Sequence, residues 1–262
     1  MLQKIFQVDA FTDRLYSGNP AAVCILENWI EDGIMQKIAM ENNLAETAFA
    51  VRNGSQYIIR WFTPELEVDL CGHATLATAF VLFNNYNLKD SYIEFFSPRS
   101  GKLLVEKGED GLLILDFPTD DIKTIQPIQA LNEAIGKNPV YTLKGKTDYL
   151  LIYNTQKEIE QLNPNFFLLN QLDARGVIVS APGDSVDFVS RFFAPQCGVN
   201  EDPVTGSAHT SLIPYWSKAL GKSKLTAKQL SKRGGDIYCE FLDKRVKIAG
   251  STVLYLKGEI II

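Results

Sequence analysis

At 262 residues the chain is longer than most single domains, and two domains are expected. A net charge of −5 with no basic run speaks against nucleic acid and anionic membrane surfaces as partners. No stretch is long and apolar enough to cross a bilayer, and residues 1–6 lack the apolar core of a signal peptide. Cys24, Cys71, Cys197 and Cys239 form neither a Cys-x-x-Cys pair nor a zinc spacing, so reduced thiols and a cytoplasmic location are expected.

Residues 5–10 read as a strand with Phe6 and Val8 on one face. Ser17-Gly18-Asn19-Pro20 is a turn cluster, and residues 21–26 form a second, buried strand. Asp32 is expected to cap a helix that carries Ile34, Met35, Ile38 and Ala39 and ends near Asn42-Asn43. Residues 44–51 are a strand with one charge, Glu46, inside it. Residues 57–62, β-branched and aromatic, are another strand. Next comes Asp69-Leu70-Cys71-Gly72-His73-Ala74-Thr75, followed by residues 76–83, which are apolar on every side. As a helix that segment is buried rather than amphipathic. The N–H groups of its first turn and the positive end of its dipole make a place for an anion. Gly72 lets a ligand approach the backbone, and Cys71 and His73 put two proton-handling groups at the same spot.

Residues 92–96, 102–106 and 111–117 are short strands, with hairpin-loop chemistry at Gly108-Glu109-Asp110-Gly111. Asp116-Phe117-Pro118 closes the first half and residues 119–129 lead onward. In the second half, residues 128–135 read as a short helix, and residues 149–153, 177–180 and 188–193 as strands. Gly206 is expected to open a second main helix through Ser211, Leu212 and Ile213, kinked or shortened by Pro214. Residues 237–242, 246–248, 253–256 and 259–262 are strands. Strands dominate, with one main helix central to each half, which argues α+β and not an alternating βαβ sheet.

The halves echo each other. Arg60, Phe62 and Pro64 before Gly72-His73-Ala74 match Arg191, Phe193 and Pro195 before Gly206-Ser207-Ala208, and Arg99-Ser100-Gly101 is echoed by Arg233-Gly234-Gly235. This predicts a divergent duplication: two pseudo-symmetric lobes, residues 1–118 and 119–252, with a cleft between them and a C-terminal strand near 253–262 completing the first.

Glu46 reads either as the outward residue of a half-buried strand or as a general base, whose pKa burial would raise from ~4 toward neutrality. His73, at the start of a buried helix, should be neutral and able to pass a proton or a hydrogen bond beside Glu46. Asp202, in Asn200-Glu201-Asp202-Pro203-Val204-Thr205-Gly206-Ser207, is a capping acid or the mirror of the first site. Cys71 is a nucleophile, a thiol base or a small buried apolar residue, and the aligned position in the other half is Thr205. His209 reads as structural. No phosphate loop and no Gly-x-Gly-x-x-Gly opening a helix is present, and two histidines far apart give little basis for a metal site.

Taken in order, Phe6-Gln7-Val8-Asp9-Ala10-Phe11-Thr12, Gly18-Asn19-Pro20-Ala21-Ala22-Val23, Leu44-Ala45-Glu46-Thr47-Ala48-Phe49, Arg60-Trp61-Phe62-Thr63-Pro64, Cys71-Gly72-His73-Ala74-Thr75 and Glu201-Asp202-Pro203-Val204-Thr205-Gly206-Ser207-Ala208 closely resemble the phenazine-biosynthesis PhzF-like isomerase family, within the diaminopimelate epimerase-like fold. The resemblance implies two lobes, each a curled sheet around a central helix, an active site between them, no cofactor and a homodimer. It places the catalytic glutamate on Glu46, the assisting histidine and aspartate on His73 and Asp202, and ligand-facing main-chain donors on Gly72 and Ser207, flanked by Cys71 and Gly206. Epimerases of the wider fold use two opposed cysteines, and Thr205 stands where one would be. The reading is a cofactor-independent isomerase that shifts a proton on a small carboxylate-bearing metabolite. The alternatives are a one-thiol racemase using Cys71 and Glu46 as opposed bases, and a non-catalytic small-acid binder.

Overall fold

The computed structural model describes residues 2–262. The chain divides into two compact units, one formed by the residues up to Asp116 together with Ile248–Ile262, the other by Phe117–Lys247.

In the first unit the strand Leu2–Ala10 runs between two antiparallel neighbours, Thr252–Ile261 and Asn19–Leu26. The tail is therefore one strand, Thr252–Ile261, not two at residues 253–256 and 259–262. Gly258 stays in the ladder opposite Ile5, and the register slips elsewhere: Gln7 faces Leu256 and Val8 faces Leu254, which leaves Tyr255 of the tail as the extra residue. Asn19–Leu26 pairs in parallel with Glu46–Asn53. Parallel neighbours need a long crossover, and helix α1 (Asp32–Asn42) supplies it. Asp32 is the first helical residue rather than the cap, which is Glu31 and makes no side-chain capping bond. Arg60 draws the Asp32 carboxylate away at 2.7 Å. Gln56–Phe62 returns antiparallel to Glu46–Asn53, and Tyr92–Ser97 lies parallel to it, a second parallel step that helix α2 (Gly72–Asn85) bridges. Gly101–Lys107 closes a hairpin on Tyr92–Ser97.

Of the 14 residues of α2, 11 are buried, so it packs as core instead of presenting one apolar stripe. Fully burying Leu76, Val81, Leu82 and Phe83 contributes roughly 1.5–3 kcal/mol each before chain entropy is counted. Two threonines survive in this setting because their hydroxyls have partners. Thr75 Oγ1 donates to the Cys71 carbonyl at 2.6 Å and Thr78 Oγ1 to the Ala74 carbonyl at 2.7 Å.

The second unit repeats the pairing order. Helix α3 (Gln129–Ile135) ends on Gly136 at φ +82°, where a side chain would be strained. Asp148–Ile152 pairs in parallel with Gly176–Pro182 across helices α4 (Gln156–Gln161) and α5 (Phe166–Leu169). Gly176–Pro182 is antiparallel to Phe188–Ala194, which is parallel to Lys224–Gln229 across helix α6 (His209–Leu220). Gly235–Leu242 closes the hairpin on Lys224–Gln229. Parallel, antiparallel, parallel, antiparallel is the order in both units, so the duplication read from a few residues is carried by the topology.

The matched arginines hold equivalent posts. Arg60 forks onto Glu67 at 2.7 and 2.8 Å, and Arg191 onto Glu201 at 2.6 and 3.0 Å. Their guanidiniums lie 5.2 Å from the Phe62 ring and 4.9 Å from the Phe193 ring. The core of the second unit gathers Leu131, Leu151, Tyr153, Val179 and Phe193. Trp216 of α6 stacks on Phe188 at 5.7 Å and gives its N–H to Ser180 Oγ at 2.9 Å.

The start of α6 and the shortening expected at Pro214 are corrected. The helix begins at His209, not Gly206, because residues 206–208 form a tighter turn. His209, Thr210 and Ser211 donate to Gly206, Ser207 and Ala208, three residues back. Pro214 does not end the helix, which runs on to Leu220. The carbonyl that Pro214 leaves without its helical donor, that of Thr210, accepts the Asp120 N–H at 3.1 Å.

Candidate active site

In the first unit the site is assembled by chain geometry at three element ends. Glu46 is the first residue of its strand, Cys71 the residue before α2 in extended conformation, and His73 the second residue of α2. His73 Nε2 lies 3.2 Å from Glu46 Oε2, and Cys71 Sγ lies 3.5 Å from His73 Nδ1 and 4.0 Å from Nε2. His73 is buried, while the Glu46 side chain keeps 17% of its surface exposed. Glu46 is thus neither an outward surface residue nor sealed in the core: one oxygen lies against His73 and part of the side chain stays exposed.

Asn19 completes the arrangement. It is fully buried and sets its Nδ2 3.1 Å from His73 Nδ1. An amide N–H donates, so Nδ1 accepts, and in a neutral ring the proton then sits on Nε2, facing Glu46. Burial pushes the imidazole down to about 3, which keeps it neutral. The positive end of the α2 dipole acts in the same direction. His73 therefore stands as an uncharged imidazole held beside a carboxylate oxygen, 3.2 Å away. Asn19 was read only as part of a turn. The turn is what aims it: Gly18 has φ +66°, and a Cβ there would fall 2.2 Å from the Ala10 carbonyl oxygen. A buried Asn beside an obligatory Gly was the available signal.

In the second unit Asp202 ends the strand Val199–Asp202, and its Oδ2 accepts the Thr205 hydroxyl at 2.5 Å. Gln229, fully buried, pins this turn with both ends of its amide. Its Nε2 donates to the Asp202 carbonyl at 2.8 Å and to Thr205 Oγ1 at 3.1 Å, and its Oε1 accepts the Thr205 N–H at 2.9 Å. His209 Nδ1 donates to the Thr205 carbonyl at 2.8 Å. Burial pushes His209 down to about 4 although that bond opposes the shift, and its Nε2 is buried without a hydrogen-bond partner. His209 is structural, as expected.

Ser207 Oγ accepts a bond from Arg175 Nη2 at 3.1 Å. Arg175 is itself held by Asp148, with Nε 2.9 Å from Oδ1 and Nη2 on Oδ2. Because Ser207 accepts from the guanidinium, its own hydroxyl proton is directed elsewhere, as a donor. Gly206 and Ser207 lie in the turn that leads into α6, and Gly72 in the first turn of α2, where backbone N–H groups have no helical acceptor.

Structure thus joins Glu46, Cys71 and His73, with Asn19, in one unit, and Asp202 and Thr205, with Gln229, in the other. Sequence reasoning missed Asn19, Arg175 and Gln229. Each is a polar side chain whose role is to orient another, and such roles leave no motif. Ligand atoms of Glu46, Cys71 and His73 lie within 4.8 Å of one another. Among the described residues no helix is long and apolar enough to cross a membrane.

The sequence model of the family described as phenazine biosynthesis-like protein matches residues 8–258. An uncharacterized isomerase of Pseudomonas aeruginosa is 51% identical over 261 residues, covering 99% of both chains. A crystal structure of a phenazine biosynthesis protein of the PhzF family from Enterococcus faecalis superposes with a TM-score of 0.96 at 47% identity, covering 100% of both chains. A probable proline racemase from Agrobacterium radiobacter shares the fold at a TM-score of 0.68 with 8% identity, over 99% of this chain and 93% of that one.

Proposed function

The chain belongs to the phenazine biosynthesis-like family, whose members include proteins named isomerases, and from that footing we propose that it is a cofactor-independent isomerase acting on a small carboxylate-bearing metabolite. The observation that carries the reading is the 3.2 Å approach of His73 Nε2 to Glu46 Oε2 beside the first turn of α2. Glu46 takes a proton from a carbon of the substrate and returns it to another carbon of the same conjugated system. His73, neutral, lies 3.2 Å from the Glu46 carboxylate and packs it in place. Asp202, held by Thr205 and Gln229, is the second acid of the reaction. Main-chain N–H groups at Gly72 and Ser207, aided at Gly206 and Cys71, bind the substrate carboxylate and stabilise the charge that develops as the proton leaves.

The spacing of the groups bears on the racemase alternative. A racemase needs bases on opposite faces of one carbon, each roughly 3–3.5 Å away, and hence about 6–7 Å apart. One Glu46 oxygen stands within 4.8 Å of Cys71 Sγ, short of that separation. Thr205 supplies no second thiol, and its hydroxyl proton is directed to Asp202. The test is turnover of a panel of small unsaturated carboxylic acids. Glu46→Gln should lower turnover by roughly 10²–10⁴-fold, the scale of a lost general base. Cys71→Ala should lower it far less. The opposite ranking supports the one-thiol reading, and binding without turnover in the unmodified chain supports the non-catalytic one.

A further inference from the structure

We propose that Arg175 is a positioning residue that makes the Ser207 hydroxyl a fixed hydrogen-bond donor to the substrate carboxylate. The proposal deepens the isomerase reading, since it rests on Ser207 facing the substrate. A guanidinium has no acceptor, so the 3.1 Å contact of Arg175 Nη2 with Ser207 Oγ can only be a bond that Ser207 accepts. That bond takes one of the directions around Oγ and leaves the hydroxyl proton to the others. Among the described residues the hydroxyl has no acceptor of its own, so its donor capacity is left for a ligand. A bond from a cation also polarises the hydroxyl it reaches, which makes that hydroxyl the stronger donor.

Arg175 is built to hold still. Its backbone N–H donates to the Thr147 carbonyl at 3.0 Å, and the parallel register sets Asp148 opposite Gly176, the next residue along. Asp148, buried, accepts the guanidinium side-on, with Nε 2.9 Å from Oδ1 and Nη2 on Oδ2. The guanidinium carbon lies 5.5 Å from the Phe192 ring, which passes over Gly176, where a Cβ would fall 2.3 Å from Phe192 Cζ. Burial alone would lower Arg175, but its bond to Asp148 and the charge of that carboxylate hold it above the ordinary arginine value. The first unit has the same plan. Gly72-His73-Ala74 matches Gly206-Ser207-Ala208, and there too the residue after the glycine is flanked by polar groups from the starts of two parallel strands, Asn19 and Glu46. Asn19 opens its strand as Asp148 opens its own. Glu46 opens the next strand, and Arg175 immediately precedes its counterpart. Both halves thus keep polar support under this one position, with different chemistry in each.

The experiment is an NMR titration of the full chain with fumarate, itaconate, sorbate and muconate, read as Kd from the Ser207 amide signal. Ser207→Ala should weaken the best-bound acid by roughly tenfold or more, the scale of a lost hydrogen bond to a charged group. Arg175→Gln combined with Asp148→Asn removes both charges together, so neither is left buried alone, and should weaken it by roughly 3–10-fold. Arg175→Lys, which keeps the charge but not the planar fork, is the second variant and should weaken it in the same sense. The deciding readout is coupling: in a Ser207→Ala background neither change at Arg175 should move Kd by more than about twofold, because its effect runs through the hydroxyl. Losses that add, an unchanged Kd in Ser207→Ala, or no shift at Ser207 with any of the four acids overturns the proposal. Turnover separates the two claims. Coupled losses of binding in a chain that turns over none of these acids leave the positioning role standing and count against the isomerase. Turnover with additive losses leaves the isomerase standing and removes the role of Arg175.

Discussion

Lowering the pH from 8 to 5 should destabilise this chain mainly through its two histidines, His73 and His209. Both are buried and held neutral: burial pushes His73 down to about 3 and, against its bond to Thr205, His209 down to about 4. In the unfolded chain each takes up a proton near pH ~6.5. As the pH falls below that value the unfolded state gains a proton that the native state refuses. The stability is therefore fully present above ~6.5 and is lost progressively as the pH approaches the native values. Each such proton changes stability by ~1.36 kcal/mol per pH unit. From ~6.5 to 5 that is about 2 kcal/mol per histidine and about 4 kcal/mol for the pair, a figure that holds for any native value below ~4. Against a usual total of ~5–15 kcal/mol the loss is large, and carboxylates stay ionised over most of this range. Urea unfolding at pH 8, 7, 6 and 5 measures it, and His209→Gln should remove about half of the slope. A stability flat to within about 1 kcal/mol, or histidine ring resonances of the native chain that titrate near ~6.5, would refute the reasoning.

Further outcomes follow from the same contacts. Gln229→Leu leaves the buried Thr205 N–H without its acceptor and frees the Asp202 turn, so it should cost about 2–4 kcal/mol in urea unfolding and lower turnover as well. Arg191→Met strands Glu201 together with the Ile159 and Leu162 carbonyls, and about 3–5 kcal/mol should be lost by the same assay. Gly18→Ala forces a Cβ against the Ala10 carbonyl at φ +66°. It should cost about 1–3 kcal/mol, and by displacing Asn19 it should broaden or shift the His73 ring nitrogen signals in ¹⁵N NMR.

The sequence was most legible where burial is continuous. The all-apolar run after His73 became α2, and the paired Arg-x-Phe-x-Pro signatures became two matching ion pairs with the same strand order around them. It was least legible where the strand signal is weak. Lys224–Gln229 buries only Leu225, Ala227 and Gln229 on alternate positions, one large apolar residue among a small and a polar one, which does not announce a strand. Glu46 and His73 were singled out because charge and imidazole stand out in apolar surroundings, and the structure sets them 3.2 Å apart. Asn19 and Gln229 were not, because a buried amide betrays itself only through partners far away in sequence, His73 for one and Thr205 for the other. The start of α6 was misplaced for a related reason. Gly206 favours a turn, and the tighter bonds of residues 206–208 delay the helix to His209.

The central claim is that Glu46, directed by a neutral His73, moves a carbon-bound proton. Proton NMR of small unsaturated carboxylic acids incubated with the chain in deuterated water tests it most directly. For an acid that the chain turns over, deuterium should enter at the carbon that gains the proton, at a rate that Glu46→Gln lowers by roughly 10²-fold or more. Deuterium entry that persists unchanged in Glu46→Gln would contradict the account.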